Sequence, residues 1–171
     1  RNGLIRAFHN RSYDPAKAVP AVVMRNEDFG RIWRLMDDGR PAELALDIRN
    51  TLHPGSTRGY NVVAELTGTE RPDEVVLLGA HLDSWHTATG ATDDAASCAV
   101  MMEALRILKT VGAHPRRTVR VVLFDGEEQG LLGSQAYVKA HYGSDAEPKA
   151  DFGRLIAYVN MDAGAGQLRG L

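Results

Sequence analysis

Glu74-Val75-Val76-Leu77-Leu78-Gly79-Ala80, followed at once by His81-Leu82-Asp83, is the stretch that decides the fold. Its first seven residues are almost uninterruptedly apolar. That is expected of a strand covered on both faces, and such strands belong to parallel sheets packed between helices. Two further stretches share its layout. Arg117–Phe124 (RTVRVVLF) runs into Asp125-Gly126-Glu127-Glu128, and Leu155–Met161 (LIAYVNM) ends in Asn160-Met161-Asp162. Tyr60–Leu66 is a fourth predicted strand. Ala95–Val111, apolar almost all round, predicts a buried helix, and Ser134 predicts the cap of a helix running to about His141. Strands alternating with helices indicate an α/β layered domain.

The chain reads differently upstream. Residues 1–25 are loop-rich, with Pro15 and Pro20. Asn26 predicts a helix N-cap, with Glu27 and Asp28 in the first turn. Phe29, Ile32, Trp33 and Met36 give that helix one apolar face, and Gly39 a stop. Leu44, Leu46 and Ile48 alternate with polar or small residues, which is strand periodicity. His53-Pro54-Gly55-Ser56 breaks the pattern and marks a soft boundary.

Composition bounds the function. The 171 residues are 44% hydrophobic and 25% charged, an ordinary globular composition that excludes a disordered chain, a collagen and a coiled coil. No apolar run reaches the ~18 residues needed to span a bilayer. A net charge of −2 marks neither a nucleic-acid partner nor a polybasic membrane anchor. The single cysteine, Cys98, excludes an internal disulfide framework and a cysteine-rich zinc site, and is expected to face the core as an inert residue. The chain starts without Met and closes on Arg169-Gly170-Leu171 with no helix stop, so a piece of a longer protein is expected.

The polar residues carry the chemistry. Three apolar strands each end in acidic or imidazole groups, and Thr92-Asp93-Asp94 sits in the loop before the buried helix. Ligands of open α/β sheets bind beyond the carboxyl ends of the strands, so these clusters are expected at one rim. Carboxylates gathered together repel, and a divalent cation is what compensates them. Imidazole plus carboxylates with no thiolate suits zinc among other metals. Each cluster alone has a plainer reading: a buried structural histidine for His81, turn residues for Asp83 and Asp162, an N-cap with a first-turn acid for Asp93-Asp94, a solvated loop for Glu127-Glu128. Their joint placement points to a metal-dependent hydrolase.

At these residues the chain resembles the M-twenty-eight family of co-catalytic zinc peptidases, in its carboxypeptidase Q-like branch. The matching segments are Gly79-Ala80-His81-Leu82-Asp83-Ser84-Trp85, Gly90-Ala91-Thr92-Asp93-Asp94-Ala95-Ala96, Gly126–Ser134 (GEEQGLLGS) and Asn160-Met161-Asp162. The resemblance covers about residues 58–171 and implies the N-terminal part of a catalytic domain. That domain would be a three-layer α/β/α sandwich with a mixed, mostly parallel sheet, incomplete at its C-terminus. Residues 1–50 resemble the tail of a protease-associated insert. The resemblance implies that His81 and Asp162 bind one zinc, Glu128 the other, and Asp93 bridges them. It makes Asp83 the acceptor of a hydrogen bond from His81 and Glu127 the general base. It further implies a cis peptide between Asp93 and Asp94.

One departure matters. The family's second zinc needs a late histidine, and His86, His114 and His141 are not at that position. At most one firmly held zinc, and no activity, is therefore expected of this chain alone. His86 stands between two ligand motifs as a lesser candidate. His9 and His53 are expected to be structural, and Glu103 to be a hydrogen-bonded acid in the buried helix. Asn10-Arg11-Ser12 is a formal glycosylation acceptor. An unfinished sheet exposes an edge and apolar surface, so self-association, with a homodimer as one form, or partial disorder is expected unless the rest of the protein is present. The expected activity is exopeptidase cleavage of a terminal residue or dipeptide from a peptide substrate, in a secreted or periplasmic protein. The alternatives are a glutaminyl cyclase-like zinc acyl transferase and a non-catalytic peptidase-like ectodomain.

Overall fold

β2 (Arg71–His81) lies inside a four-stranded sheet, as its apolar run predicts. It pairs in parallel with β3 (Arg117–Phe124) on one side and with β4 (Leu155–Asn160) on the other. β1 (Val62–Leu66) pairs antiparallel with β3, giving the order β1-β3-β2-β4 and a mixed, mostly parallel sheet. His81 is level with Phe124, and Gly79 with Asn160. This register brings the polar C-terminal ends of three strands to one rim. The computed structural model describes residues 22, 24–49, 51, 58–85, 88–162 and 164. The expectations for His9, Asn10–Ser12, Pro15, Pro20, His53–Ser56 and His86 lie outside them.

Among the described residues there are three α-helices: α1 (Asn26–Asp37), α2 (Ala96–Thr110) and α3 (Leu132–His141). The pleat of β2 sends alternate side chains to opposite faces. Val75 and Leu77 pack with Val122, Phe124, Tyr142 and α3's Tyr137. Leu78 and Ala80 pack with Val121, Leu123 and α2's Cys98 and Met101. One helix thus covers each face, which makes three layers. The Phe124 and Tyr137 rings meet edge to face with centroids 5.8 Å apart, a favoured aromatic geometry. Two compact units divide the chain, residues 1–56 and 57–171. α1 belongs to the first, and the sheet, α2 and α3 to the second.

Local expectations depart from the structure in five places. Arg25, not Asn26, caps α1: its backbone is extended and its carbonyl accepts the Phe29 N–H at 3.0 Å. The apolar face of α1 stays open, with Phe29, Trp33 and Met36 more than half exposed. Leu44, Leu46 and Ile48 form no strand, because alternation becomes a strand only where a neighbour completes the ladder. α2 is buried along one face only, at Ser97, Cys98 and Met101; Val100, Met102 and Ile107 face outward, and Glu103 is exposed in an ion pair with Arg106. Ser134 does not cap α3; left-handed Leu131 precedes the helix, and the Ser134 hydroxyl donates back to the Leu131 carbonyl at 3.2 Å. At the sheet edge formed by β4, Ile156, Tyr158 and Val159 are exposed.

Candidate metal centre

His81 closes β2 with its ring buried, 3% exposed, at the rim where the strand ends meet. Its Nε2 lies 2.9 Å from Asp93 Oδ1, 3.6 Å from Asp162 Oδ1 and 4.0 Å from Glu127 Oε2. Its Nδ1 lies 3.0 Å from the backbone carbonyl of Asp83 and 3.5 Å from that residue's carboxylate. The closer acceptor for Nδ1–H is thus the main chain of Asp83. With the proton on Nδ1, the Nε2 lone pair is directed at the carboxylates.

The Asp83 carboxylate makes different bonds. Oδ1 accepts the Glu127 N–H at 2.9 Å, and Oδ2 accepts the Glu128 N–H at 3.2 Å. Asp83 therefore fixes the backbone of the two glutamates against the end of β2.

Asp93 and Asp94 are joined by a cis peptide, and neither is helical; no side chain caps the following helix. The two carboxylates diverge. Asp93 reaches His81 Nε2, whereas Asp94 is buried beneath it and accepts the His81 backbone N–H at 3.1 Å. The Cys98 thiol donates to the His81 carbonyl at 2.9 Å. The His81 backbone is thus held at its N–H by Asp94 and at its carbonyl by Cys98.

Two groups of donor atoms cluster tightly enough to hold a cation: His81, Asp93 and Glu128, and His81, Asp94 and Asp162. His81, Asp93, Glu128 and Asp162 were all singled out in the sequence, and these groups include each of them. Asp94 was seen there only as half of an acidic doublet; nothing in the local pattern told which member would turn inward.

The electrostatics are those of crowded negative charge. Burial pushes the Glu127 carboxyl above its usual range, His81 opposes this, and Asp162, Asp83 and Asp93 add to it. Glu128 and Asp162 are raised in the same manner, burial first. For His81 burial acts downward, but the Asp93 hydrogen bond and the charges of Asp162, Asp94 and Glu127 outweigh it, so the net shift is upward. Among the described residues, Asp94 Oδ1 and Glu128 Oε1 are fully buried with no hydrogen-bond partner. Such oxygens are costly unless a donor or cation meets them. One imidazole and several carboxylates, two with orphaned oxygens, form a donor set that fits a divalent transition metal.

The site opens into a cleft of about 90 Å³ bordered by His81, Glu127, Asp162, Leu131 and Tyr158. A larger apolar trough of about 870 Å³ runs alongside α3 and shares Phe124, Leu131, Ser134, Tyr158 and Asn160 with it.

Peptidase family M28 matches residues 61–170, the span that holds the sheet and every one of these donors. The chain belongs to peptidase family M28. Carboxypeptidase Q of Mus musculus is 34% identical over 151 residues, covering 88% of this chain and 30% of that protein. Among solved structures, a peptidase M28 precursor from Shewanella amazonensis aligns with a TM-score of 0.67 and 33% identity. That alignment covers 88% of this chain and 33% of the Shewanella one. A zinc aminopeptidase from Bacillus subtilis aligns with a TM-score of 0.51 and 29% identity over 60% of this chain and 23% of its own. The chain spans between about a quarter and a third of the length of these relatives. Its α/β fold, with an open four-stranded mixed sheet, is that of M28 peptidases.

Proposed function

We propose that the full-length protein is a zinc-dependent exopeptidase that hydrolyses terminal peptide bonds. The observation that carries this reading is the convergence on His81 Nε2 of Asp93, Asp162 and Glu127, from three separate segments, beside a buried and unpartnered Glu128 oxygen. In this reading His81, Asp93, Glu128 and Asp162 hold zinc, two ions in the complete site. Bound there, zinc supplies Lewis-acid polarisation of a scissile carbonyl and lowers the pKa of a water.

The chain's own residues do the rest. The Asp83 carbonyl keeps the proton on His81 Nδ1, so that Nε2 is free to ligate. The Asp83 carboxylate sets the position of Glu127 through the backbone. Glu127, at the mouth of the cleft, acts as general base: its Oε2 accepts a proton from the attacking water and returns it to the leaving amine. The peptide terminus would lie in the cleft beside Leu131 and Tyr158. We also read residues 1–50 as the tail of a protease-associated insert and the protein as secreted or periplasmic, on the resemblance to the carboxypeptidase Q-like branch alone. Among the described residues, no helix is long and apolar enough to cross a membrane.

The test is an assay of the full-length protein on dipeptides, on peptides blocked at either end, and on N-terminal glutaminyl peptides. Hydrolysis of unblocked peptides is expected, falling by about 10²–10⁴-fold in Glu127→Ala with zinc content preserved. Cyclisation of the glutaminyl substrate without peptide hydrolysis would overturn the reading in favour of acyl transfer. No turnover of any of them would favour a binding module.

A further inference from the structure

We propose that Asn61, outside the acidic cluster, is a positioning residue that holds the Glu127–Glu128 loop in register with His81. The inference rests on the peptidase reading for its kinetic arm only. Asn61 stands immediately before the edge strand β1 and is half-buried. Its side-chain amide bonds both ends of the loop segment 125–133, which runs from the end of β3 into the first turn of α3. Oδ1 accepts the Asp125 N–H at 3.0 Å, and Nδ2 donates to the Gly133 carbonyl at 2.9 Å. The two loop ends also meet directly, Gly133 N–H to the Asp125 carbonyl at 2.8 Å and Leu132 N–H to the Gly126 carbonyl at 2.9 Å. The clasp is reciprocal, because Asp125 Oδ2 accepts the Tyr60 N–H at 3.0 Å.

The geometry leaves no room for alternatives at the join. A Cβ on Gly133 would collide with the Asp125 carbonyl oxygen and with Asn61 Oδ1. A Cβ on Gly59 would collide with Asp125 Oδ2. Only a side chain with one acceptor and one donor a fork apart can satisfy an N–H and a C=O together, which an amide does and a carboxylate does not. The loop is then anchored twice, by Asn61 at its ends and by Asp83 at Glu127 and Glu128. Asn61 touches neither substrate nor donor atoms; it acts through the loop. A loose loop would misplace both glutamates, and groups that support ligands in this way commonly carry about 10–100-fold in affinity or activity.

The test uses the full-length protein with the nearly isosteric Asn61→Asp, and Gly133→Ala as an independent route to the same join. Three quantities are read: amide hydrogen exchange, zinc affinity by titration with the metal alone, and kcat and KM on a dipeptide. The expected result is faster exchange confined to residues 125–133, with β2 and β4 amides unchanged. Zinc affinity and kcat should each fall about 10–100-fold, with KM within about twofold. Exchange that rises across the whole sheet would reduce Asn61 to a stability residue and overturn the proposal. So would unchanged loop exchange with unchanged zinc affinity. If the parent hydrolyses no peptide, the peptidase reading fails, and loop exchange with zinc affinity still decides the proposal. If Asn61→Asp does not fold, the milder Asn61→Ser decides it by the same outcomes.

Discussion

Asp83 reaches 44 residues along the chain to accept the Glu127 N–H at 2.9 Å, and that bond ties the end of β2 to the loop after β3. The same residue's carbonyl orients the His81 ring. One side chain and its own main chain therefore couple the imidazole to the loop that bears the proposed base.

Replacing Asp83 by Asn should weaken this coupling. An amide presents only one acceptor, so one of the two backbone N–H groups faces an NH₂ and is left unpaired, at a cost of about 1–3 kcal/mol. Activity of the full-length protein should drop about 10–100-fold. Chemical denaturation and kinetics read both effects. An Asp83→Asn protein with parental stability and rate would show that the carboxylate is dispensable.

Cys98 should be silent. Burial, followed by the charges of Asp94 and Asp83, pushes its thiol up to about 11, and the thiol already donates to the His81 carbonyl. Reactivity follows the thiolate, so alkylation of the native protein at pH 8 should be slow and should become rapid on denaturation. Equal labelling rates in both states would contradict the buried placement.

Glu74 gives stability a pH dependence away from the site. The Arg117 hydrogen bond, against an opposing effect of burial and with the charges of Arg117 and Arg71, holds its carboxyl below the usual range. A depressed folded pKa means stabilisation that is present above the unfolded value and lost as pH falls through the folded one. Thermal melts of Glu74→Gln should therefore lie below the parent at pH 7, and the gap should close on acidification. A gap that persists well below the carboxylate range would refute the ion pair as its source.

The sequence made the core of this site readable because its strands are apolar and their ends are not. Arg117–Phe124 has the predicted strand boundaries, and a parallel register does the rest by levelling the ends of β2, β3 and β4. What stayed hidden depends on contacts distant along the chain. Asn61 bonds partners 64 and 72 residues away, so no local pattern marks it. Asp94 differs from Asp93 only in which way the backbone turns it. Leu44, Leu46 and Ile48 alternate as a strand does, yet alternation reports a face to bury and cannot supply the neighbour that buries it. The same limit explains Val100, Met102 and Ile107, whose apolar side of α2 has no partner among the described residues.

Zinc titration of the full-length protein, as parent, Asp93→Asn and Asp162→Asn, tests most directly whether His81 and its carboxylates share a cation. Tight binding by the parent, weakened at least about tenfold by either substitution in a protein that still folds, is the predicted result. Zinc affinity unchanged in both variants, or no binding by the parent, would contradict it.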